Sequence, residues 1–164
     1  MTQQTPDTRR AEIIEAYNRE RDALLELIKR GDAGVWEKPS PCPGWSAKDL
    51  VAHVATSATA VRMYVQWMLE GRPNQGKAAL DARNEAGVAE RRGRSLEELI
   101  HELKTSHQRN IDLLLSLSDE QLAVKGALAS GEMIQVEDRF RRAGRHYREH
   151  GRMLAQVAGL GDDY

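Results

Sequence analysis

The sequence predicts an all-α protein, an up-and-down four-helix bundle, over its 164 residues. Three observations predict this fold. Four long segments carry apolar residues at helical spacing, capping or helix-ending residues bound these segments, and the β-branched alternation typical of strands is missing. None of the four segments is apolar all round, so each must bury one face against the others. A chain of this length suits a single domain, which is expected to span residues 1–164.

The first predicted helix covers residues 7–30, and a proline-rich loop follows it. The apolar stripe of this helix consists of Ile14, Tyr17, Leu24 and Ile28. Glycines at positions 31 and 34 then favour termination. Residues 36–45 contain three prolines, which fix φ and remove backbone donors. We therefore expect a rigid, ordered loop here.

The second predicted helix begins after Ser46 and runs to about residue 70. Ser46 is an N-cap, and Asp49 three residues later completes a capping-box pattern. Gly71 and Pro73 are typical of the end of a helix. His53 lies on or beside the inner stripe of this helix, between Leu50 and Val54 in the chain.

Residues 72–94 are too many for an ordinary bundle loop, so we expect either a crossover or a lid, with a short helix at 78–91. The third long helix begins after Ser95, in a capping box with Glu98, and ends near residue 117. A short helical turn follows Ser118. Residues 123–135 contain two glycines and are expected to form a loop.

The last predicted helix covers residues 136–158 and ends at Gly159. A single stripe on it mixes apolar and imidazole side chains: Phe140, Ala143, His146, His150, Met153 and Val157. A second stripe, rotated away from the histidines, carries Arg141, Arg145, Arg148 and Arg152. Such a stripe is typical of a solvated face or the rim of a dimer contact, and it could also attract an anionic ligand.

Composition excludes several classes of protein. The net charge of −1, from 24 basic and 25 acidic residues, argues against a dedicated nucleic-acid or anionic-membrane binder. No apolar run approaches the roughly 20 residues of a membrane span, and residues 1–10 do not resemble a secretory signal. The one cysteine cannot form an internal disulfide. A cytoplasmic location is therefore expected.

Three of the five histidines suggest a metal site. His146 and His150 are spaced i, i+4, so their rings lie one turn apart on one face and can converge on one cation. His53, on the inner side of a different helix, is the candidate third ligand. His107 competes for that role, because it lies four residues from both Leu103 and Ile111. Each histidine could instead be a hydrogen-bonded core residue, and His101 is expected to be solvated.

Nucleophilic catalysis has little support in the sequence. Cys42 lies between two prolines and is expected to be a small, partly buried loop residue rather than a nucleophile. The sequence contains neither a Gly-x-Ser-x-Gly elbow nor a phosphate-binding glycine loop.

The segment from Trp36 through Pro41-Cys42-Pro43-Gly44-Trp45-Ser46 to His53 resembles the hallmark of the DinB-like superfamily. Within that superfamily it is most similar to the branch of the mycothiol-dependent maleylpyruvate isomerase N-terminal domain. The later segment His146-Tyr147-Arg148-Glu149-His150 resembles the second motif of the superfamily. The resemblance covers roughly residues 10–158, and it implies a four-helix bundle that is often dimeric.

The resemblance also implies a divalent metal ion, with zinc or nickel expected, held here by His53, His146 and His150. It implies a thiol-dependent transferase or isomerase that uses mycothiol, bacillithiol or glutathione on a small electrophile. The isomerase branch tends to carry glutamate where this chain has His146, so the all-histidine set is closer to the general DinB type.

Two other functions remain open at this stage. The bundle could bind or sequester a small molecule without turnover, or it could be a structural homodimer whose histidines are core residues. Weak candidates for a pocket wall are Trp45, Tyr64, Trp67 and Asn84.

Overall fold

A computed structural model describes residues 6–161 of the chain. It contains the four long helices expected from the sequence, two additional helices and one short hairpin. In chain order the elements are α1 (Pro6–Arg30), α2 (Ala47–Leu69), α3 (Gly76–Arg91), α4 (Leu96–Ser116), α5 (Asp119–Leu122), β1 (Lys125–Ala127), β2 (Met133–Gln135) and α6 (Val136–Ala158). A 3-10 turn at Ala33–Val35 follows α1.

The predicted capping residues define the helix ends. Ser46 accepts a bond from the Asp49 amide at 3.1 Å, and the Asp49 carboxylate accepts one from the Ser46 amide. Ser95 and Glu98 form the same reciprocal pair at the start of α4. Each box satisfies two backbone donors that a helix start would otherwise leave unpaired. The capping boxes therefore fix where α2 and α4 begin.

A four-helix bundle is confirmed, and contacts between the helices give their directions. Arg9 pairs with Glu137, and Tyr17 lies against Tyr147, so α1 and α6 run in the same direction. α4 runs opposite to α1, because the Arg10 guanidinium bonds the Leu117 carbonyl at the far end of α4. His53 of α2 meets α6 in antiparallel packing. The long helices thus run up, down, down, up, so they do not alternate in direction as the predicted up-and-down order required.

The order of directions depends on residues 72–94, which form a crossover and contain α3. α2 and α4 run in the same direction, and two such helices cannot be joined by a tight turn. After the end of α2 the chain must therefore return along the bundle before α4 begins. Arg91 anchors α3 to α4 by donating to both carboxylate oxygens of Glu102, to Oε1 at 2.6 Å and to Oε2 at 3.0 Å. Against α2, α3 approaches so closely that a Cβ at Gly87 would lie 2.3 Å from the Thr56 side chain.

The prediction of a loop at residues 123–135 was wrong in part, because β1 and β2 pair there as an antiparallel hairpin. Each strand has three residues, which is too short for an alternating pattern to be recognised. The hairpin is held on the bundle by tertiary contacts: Ile134 is buried, and Gly126 lies so close to Met68 that a Cβ would be 2.6 Å from its side chain.

The proline-rich loop is ordered by backbone bonds to its own ends. The Ser40 amide donates to the Trp45 carbonyl at 2.9 Å, and the Lys48 amide donates to the Trp36 carbonyl at 2.9 Å. Gly44 takes a φ of +79°, where side chains are disfavoured. Cys42 is partly buried, as expected. This loop covers the end of the bundle at which α2 begins.

Among residues 6–161, no helix combines the length and the apolar character that a membrane crossing would require.

The close approach of α3 to α2 is testable by Gly87→Val. The valine side chain would overlap Thr56, so we expect the free energy of unfolding in urea to fall by about 1–3 kcal/mol. Gly93→Val is the matched control, because a Cβ at Gly93 meets nothing within 4 Å. Equal stability of the two variants would contradict the packing described here.

Candidate metal centre

Three histidine side chains from two helices meet at one point in the bundle. Nε2 of His146 lies 3.2 Å from Nε2 of His53 and 2.9 Å from Nε2 of His150. One ring nitrogen from each of the three residues lies within 4.8 Å of the corresponding nitrogens of the other two. The structure therefore brings together all three histidines that the sequence singled out.

Helix geometry explains this convergence. His146 and His150 are one turn apart on α6, so their rings share a face, with centroids 4.2 Å apart. Antiparallel packing of α2 on α6 carries His53 to the same level from the opposite side. The Ser46 capping box sets the register of α2, and His53 lies two turns after it.

Trp45, the last residue of the proline-rich loop, packs against this cluster. Its indole ring lies 5.0 Å from the imidazole of His53, centroid to centroid. The loop is therefore more than a connector, because its backbone bonds place an aromatic ring against one of the three histidines.

Burial keeps the three imidazoles neutral. Burial, together with electrostatic repulsion from His150, lowers the pKa of His53 to about 4. It lowers the pKa of His150 to about 4 as well. The pKa of His146 is held well below its usual range by burial and by the two neighbouring rings. At neutral pH each ring therefore has one nitrogen with a free lone pair.

The hydrogen bonding of the cluster fits a cation better than it fits a core network. The Nδ1 atoms of His53, His146 and His150 are buried and have no partner among residues 6–161. The hydrogen-bond contacts of these rings with the described residues join Nε2 to Nε2, and each such contact needs one donor and one acceptor. Nitrogens bound at about 2.1 Å to a tetrahedral ion lie roughly 3.4 Å apart, close to the spacing seen here.

His107 and His101 do not join the cluster. His107 is fully buried on the α1 side of α4, where its Nε2 lies 2.8 Å from Asn18 Oδ1 and its ring packs on Tyr17. His107 therefore belongs to a separate polar network of the core. His101 is exposed, as the sequence predicted. Of the two candidates for a third member, only His53 meets the helical pair.

A cavity of about 780 Å³ opens beside the cluster, between α2, α3, α6 and the turn of the hairpin. His53 and His146 form part of its wall. Two of the four predicted wall residues, Tyr64 and Asn84, also line it. Trp45 and Trp67 do not, but each packs on a residue that does, Trp45 on His53 and Trp67 on Tyr64.

The predicted arginine stripe on α6 is divided between two environments. Arg145 and Arg152 are exposed, as expected for a solvated face. Arg148 instead bonds both carboxylate oxygens of Glu20 on α1, which lowers the pKa of Glu20. This pair ties α1 to α6 two residues from His146 and from His150, so part of the stripe is structural.

Sequence reasoning placed no arginine in the cavity wall, although Arg83 and Arg139 are among the residues that line it. A usable signal was present for Arg139 and for Tyr64. Arg139 precedes His146 by seven residues, and Tyr64 follows His53 by eleven, so each lies a near-whole number of turns from a candidate ligand. Residues at that spacing share the face of the helix that carries the histidine.

Several solved structures share the fold of this chain. Two structures of the mycothiol-dependent maleylpyruvate isomerase, one of them a histidine-to-alanine mutant, match with TM-scores of 0.70 and 0.72 at 17% and 19% identity. Each match covers 88% of this chain but only 60% of the isomerase chain.

YfiT from Bacillus subtilis, described as a probable metal-dependent hydrolase with an unusual four-helix bundle topology, matches with a TM-score of 0.71 at 16% identity. That match covers 98% of this chain and 94% of YfiT. These likenesses show that the chain shares the four-helix bundle fold of those structures.

No curated protein sequence gives a significant match. The family model of the mycothiol maleylpyruvate isomerase N-terminal domain, however, matches residues 17–151, most of the chain. The resemblance found in the proline-tryptophan segment and the second histidine motif is thereby confirmed, and the chain belongs to the mycothiol maleylpyruvate isomerase N-terminal domain family.

Proposed function

We propose that this protein binds a divalent metal ion, zinc or nickel, through His53, His146 and His150. We further propose that the ion activates a low-molecular-weight thiol for transfer to, or isomerisation of, a small electrophile. The observation that carries the proposal is the meeting of three buried, neutral imidazoles at the wall of a large cavity.

The donor set supports the metal. Imidazole is a ligand for zinc and nickel alike, and it must be neutral to bind. The lowered pKa values of His53 and His150, both about 4, keep these rings available at physiological pH. Three protein donors also leave at least one coordination position open, which is typical of catalytic rather than structural zinc sites.

The cavity supports a small-molecule partner. Its volume of about 780 Å³ lies within the ~300–1,000 Å³ typical of ligand sites. Because His53 and His146 form part of its wall, a ligand in the cavity would reach two of the three imidazoles that would hold the ion. Trp45 packs against His53 and restricts the movement of its ring.

The family supports the thiol, since mycothiol stands in the name of the matched domain and of the isomerase that shares its fold. A divalent ion, when bound, supplies Lewis acidity that stabilises a thiolate near neutral pH. The thiolate sulfur would form a carbon–sulfur bond with the electrophile, while the electron pair of the attacked double bond moves onto a conjugated carbonyl oxygen or a leaving group departs with its bonding pair. The cavity walls orient that electrophile and limit access of water, which competes as a nucleophile.

A homodimer in the cytoplasm, with no nucleic-acid or membrane partner, remains our prediction for the assembly.

Metal binding should depend on the three histidines. We expect His53→Ala, His146→Ala and His150→Ala each to weaken zinc or nickel binding at least about 100-fold, because two imidazoles no longer enclose the ion. Isothermal titration calorimetry on protein stripped of its tag and of metal measures this.

His101→Ala is the matched control, since its ring is exposed and outside the cluster. A second control is His107→Gln. If this variant loses the metal while His53→Ala keeps it, the third ligand has been assigned to the wrong helix.

The metal-free protein should be sensitive to acid. The pKa values of His53 and His150, about 4 when folded, lie below the usual 6.5 of an unfolded chain. Acid therefore protonates the unfolded chain first, so stability is complete above about pH 6.5 and falls as the pH is lowered toward 4.

Urea unfolding at a series of pH values measures this slope. His150→Gln removes one of the titrating groups and should flatten it, whereas the exposed His101→Gln should leave it nearly unchanged. A wild-type slope that His150→Gln does not alter would contradict the assigned cause.

Activity should require both metal and thiol. We expect mycothiol, bacillithiol or glutathione to be consumed with an electrophile only when the ion is present, and His146→Ala to abolish the reaction. Mass spectrometry of the products measures this across a panel of electrophiles. Metal-dependent binding without turnover would instead favour a sequestering protein, and turnover without thiol would indicate hydrolysis.

A further inference from the structure

The wall of the cavity has a strong excess of positive charge. Five arginines line it against two glutamates: Arg83, Arg91, Arg139, Arg142 and Arg145 against Glu90 and Glu149. Two of the five are neutralised by acids, Arg91 by Glu102 at 2.6 Å and Arg142 by Glu132 at 3.7 Å. The remaining charge is concentrated on α3 and on one face of α6.

Arg83 and Arg139 meet at a single aromatic ring. The guanidinium carbon of Arg139 lies 4.5 Å from the centroid of Tyr64, and that of Arg83 lies 5.6 Å from the same centroid. Neither arginine has a carboxylate partner within residues 6–161. Arg83 donates only to neutral oxygens, Gln75 Oε1 at 2.7 Å and the Tyr64 hydroxyl at 3.2 Å.

This arrangement is unfavourable unless an anion completes it. The Nε atoms of Arg83 and Arg139 are both buried and have no hydrogen-bond partner in the described chain. Burial also lowers the pKa of Arg139, and the neighbouring Arg142 lowers it further. A partly buried guanidinium without a counter-charge is costly to fold, whereas a carboxylate accepts paired bonds from its planar fork.

The two arginines are at a useful distance from the histidines. Arg139 lies seven residues before His146 on α6, about two turns or ~10 Å along the same face. Tyr64 lies eleven residues after His53 on the facing helix. One cavity therefore has neutral imidazoles at one end and unneutralised guanidinium groups at the other.

We infer that Arg83 and Arg139, held on Tyr64, form an anion subsite that binds the carboxylate of a small organic acid. The opposite end of this acid lies toward His53 and His146. The inference deepens the proposed function and rests on it for the role of the bound acid as substrate. Binding itself is independent of the metal, because the subsite is built from other residues.

The test is calorimetric titration of the full chain, as purified, with succinate and with its uncharged analogue succinamide. We expect succinate to bind and succinamide not to bind. Arg83→Gln and Arg139→Gln should each weaken succinate binding at least tenfold, and the double variant should abolish it. Arg109→Gln, an exposed position on α4, is the matched control and should change affinity less than twofold.

Arg142→Gln tests whether any arginine of the cavity wall would have the same effect, because Arg142 lines the wall but is paired with Glu132. Its effect should be smaller than that of Arg139→Gln. If Arg139→Gln does not fold, Arg83→Gln on the peripheral helix α3 decides. Equal binding of succinate and succinamide, or full affinity in Arg83→Gln, overturns the inference.

Inorganic phosphate is the third ligand titrated. Weaker binding than succinate supports a carboxylic acid, whereas tighter binding overturns that assignment in favour of a phosphate ester. The metal content of every sample is measured in parallel by mass spectrometry. If the protein binds no metal but binds succinate in a way that depends on Arg83, this inference stands while the metal proposal fails. If the protein binds metal but does not bind succinate, the metal proposal stands while this inference fails.

Discussion

The antiparallel packing of α2 on α6 is the constraint on which the functional features depend. It brings His53 opposite His146 at 3.2 Å, and further along the same interface it brings Tyr64 against Arg139. Both contacts are side chain to side chain across one pair of helices. A shift of either helix by one residue would rotate its face by about 100° and separate both pairs. This one helix interface therefore positions both the histidine end and the arginine end of the cavity.

The rest of the bundle holds this interface in place. α1 and α4 pack on the other side of the pair, and the Tyr17 hydroxyl of α1 bonds both the Tyr147 hydroxyl of α6 and the Asn110 amide of α4. The proline-rich loop bonds its own ends and places Trp45 on His53. Buried hydrogen bonds of this kind favour one arrangement of the helices, because any other would leave polar groups unpaired.

Buried polar atoms without partners among the described residues occur at the histidine cluster and in the cavity wall as well as in the scaffold. The three imidazole Nδ1 atoms and the Nε atoms of Arg83 and Arg139 are all buried and unpaired among residues 6–161. Arg91 and Arg148, by contrast, are paired with Glu102 and Glu20 and join helices together. Natural proteins satisfy most buried polar groups, so the exceptions indicate where a ligand is expected. Buried atoms without partners in the described part of the chain also occur in the scaffold, on Arg10, His107 and Asn110, so it is the missing carboxylate partners that distinguish Arg83 and Arg139.

The sequence by itself determined the four long helices and most of their ends, because capping serines, helix-ending glycines and apolar periodicity act over a few residues. It also singled out His53, His146 and His150, since imidazoles on inward-facing stripes are visible from helical spacing.

Tertiary structure decided the choice that helical spacing had left open between His53 and His107, because both lie on inner faces and only the packing of α2 on α6 brings His53 to the helical pair. It alone decided the hairpin, whose strands are too short to show a pattern, and the convergence of Arg83 and Arg139 on Tyr64. Those contacts join residues far apart in the chain, and local propensity contains no information about which distant helix will be the neighbour.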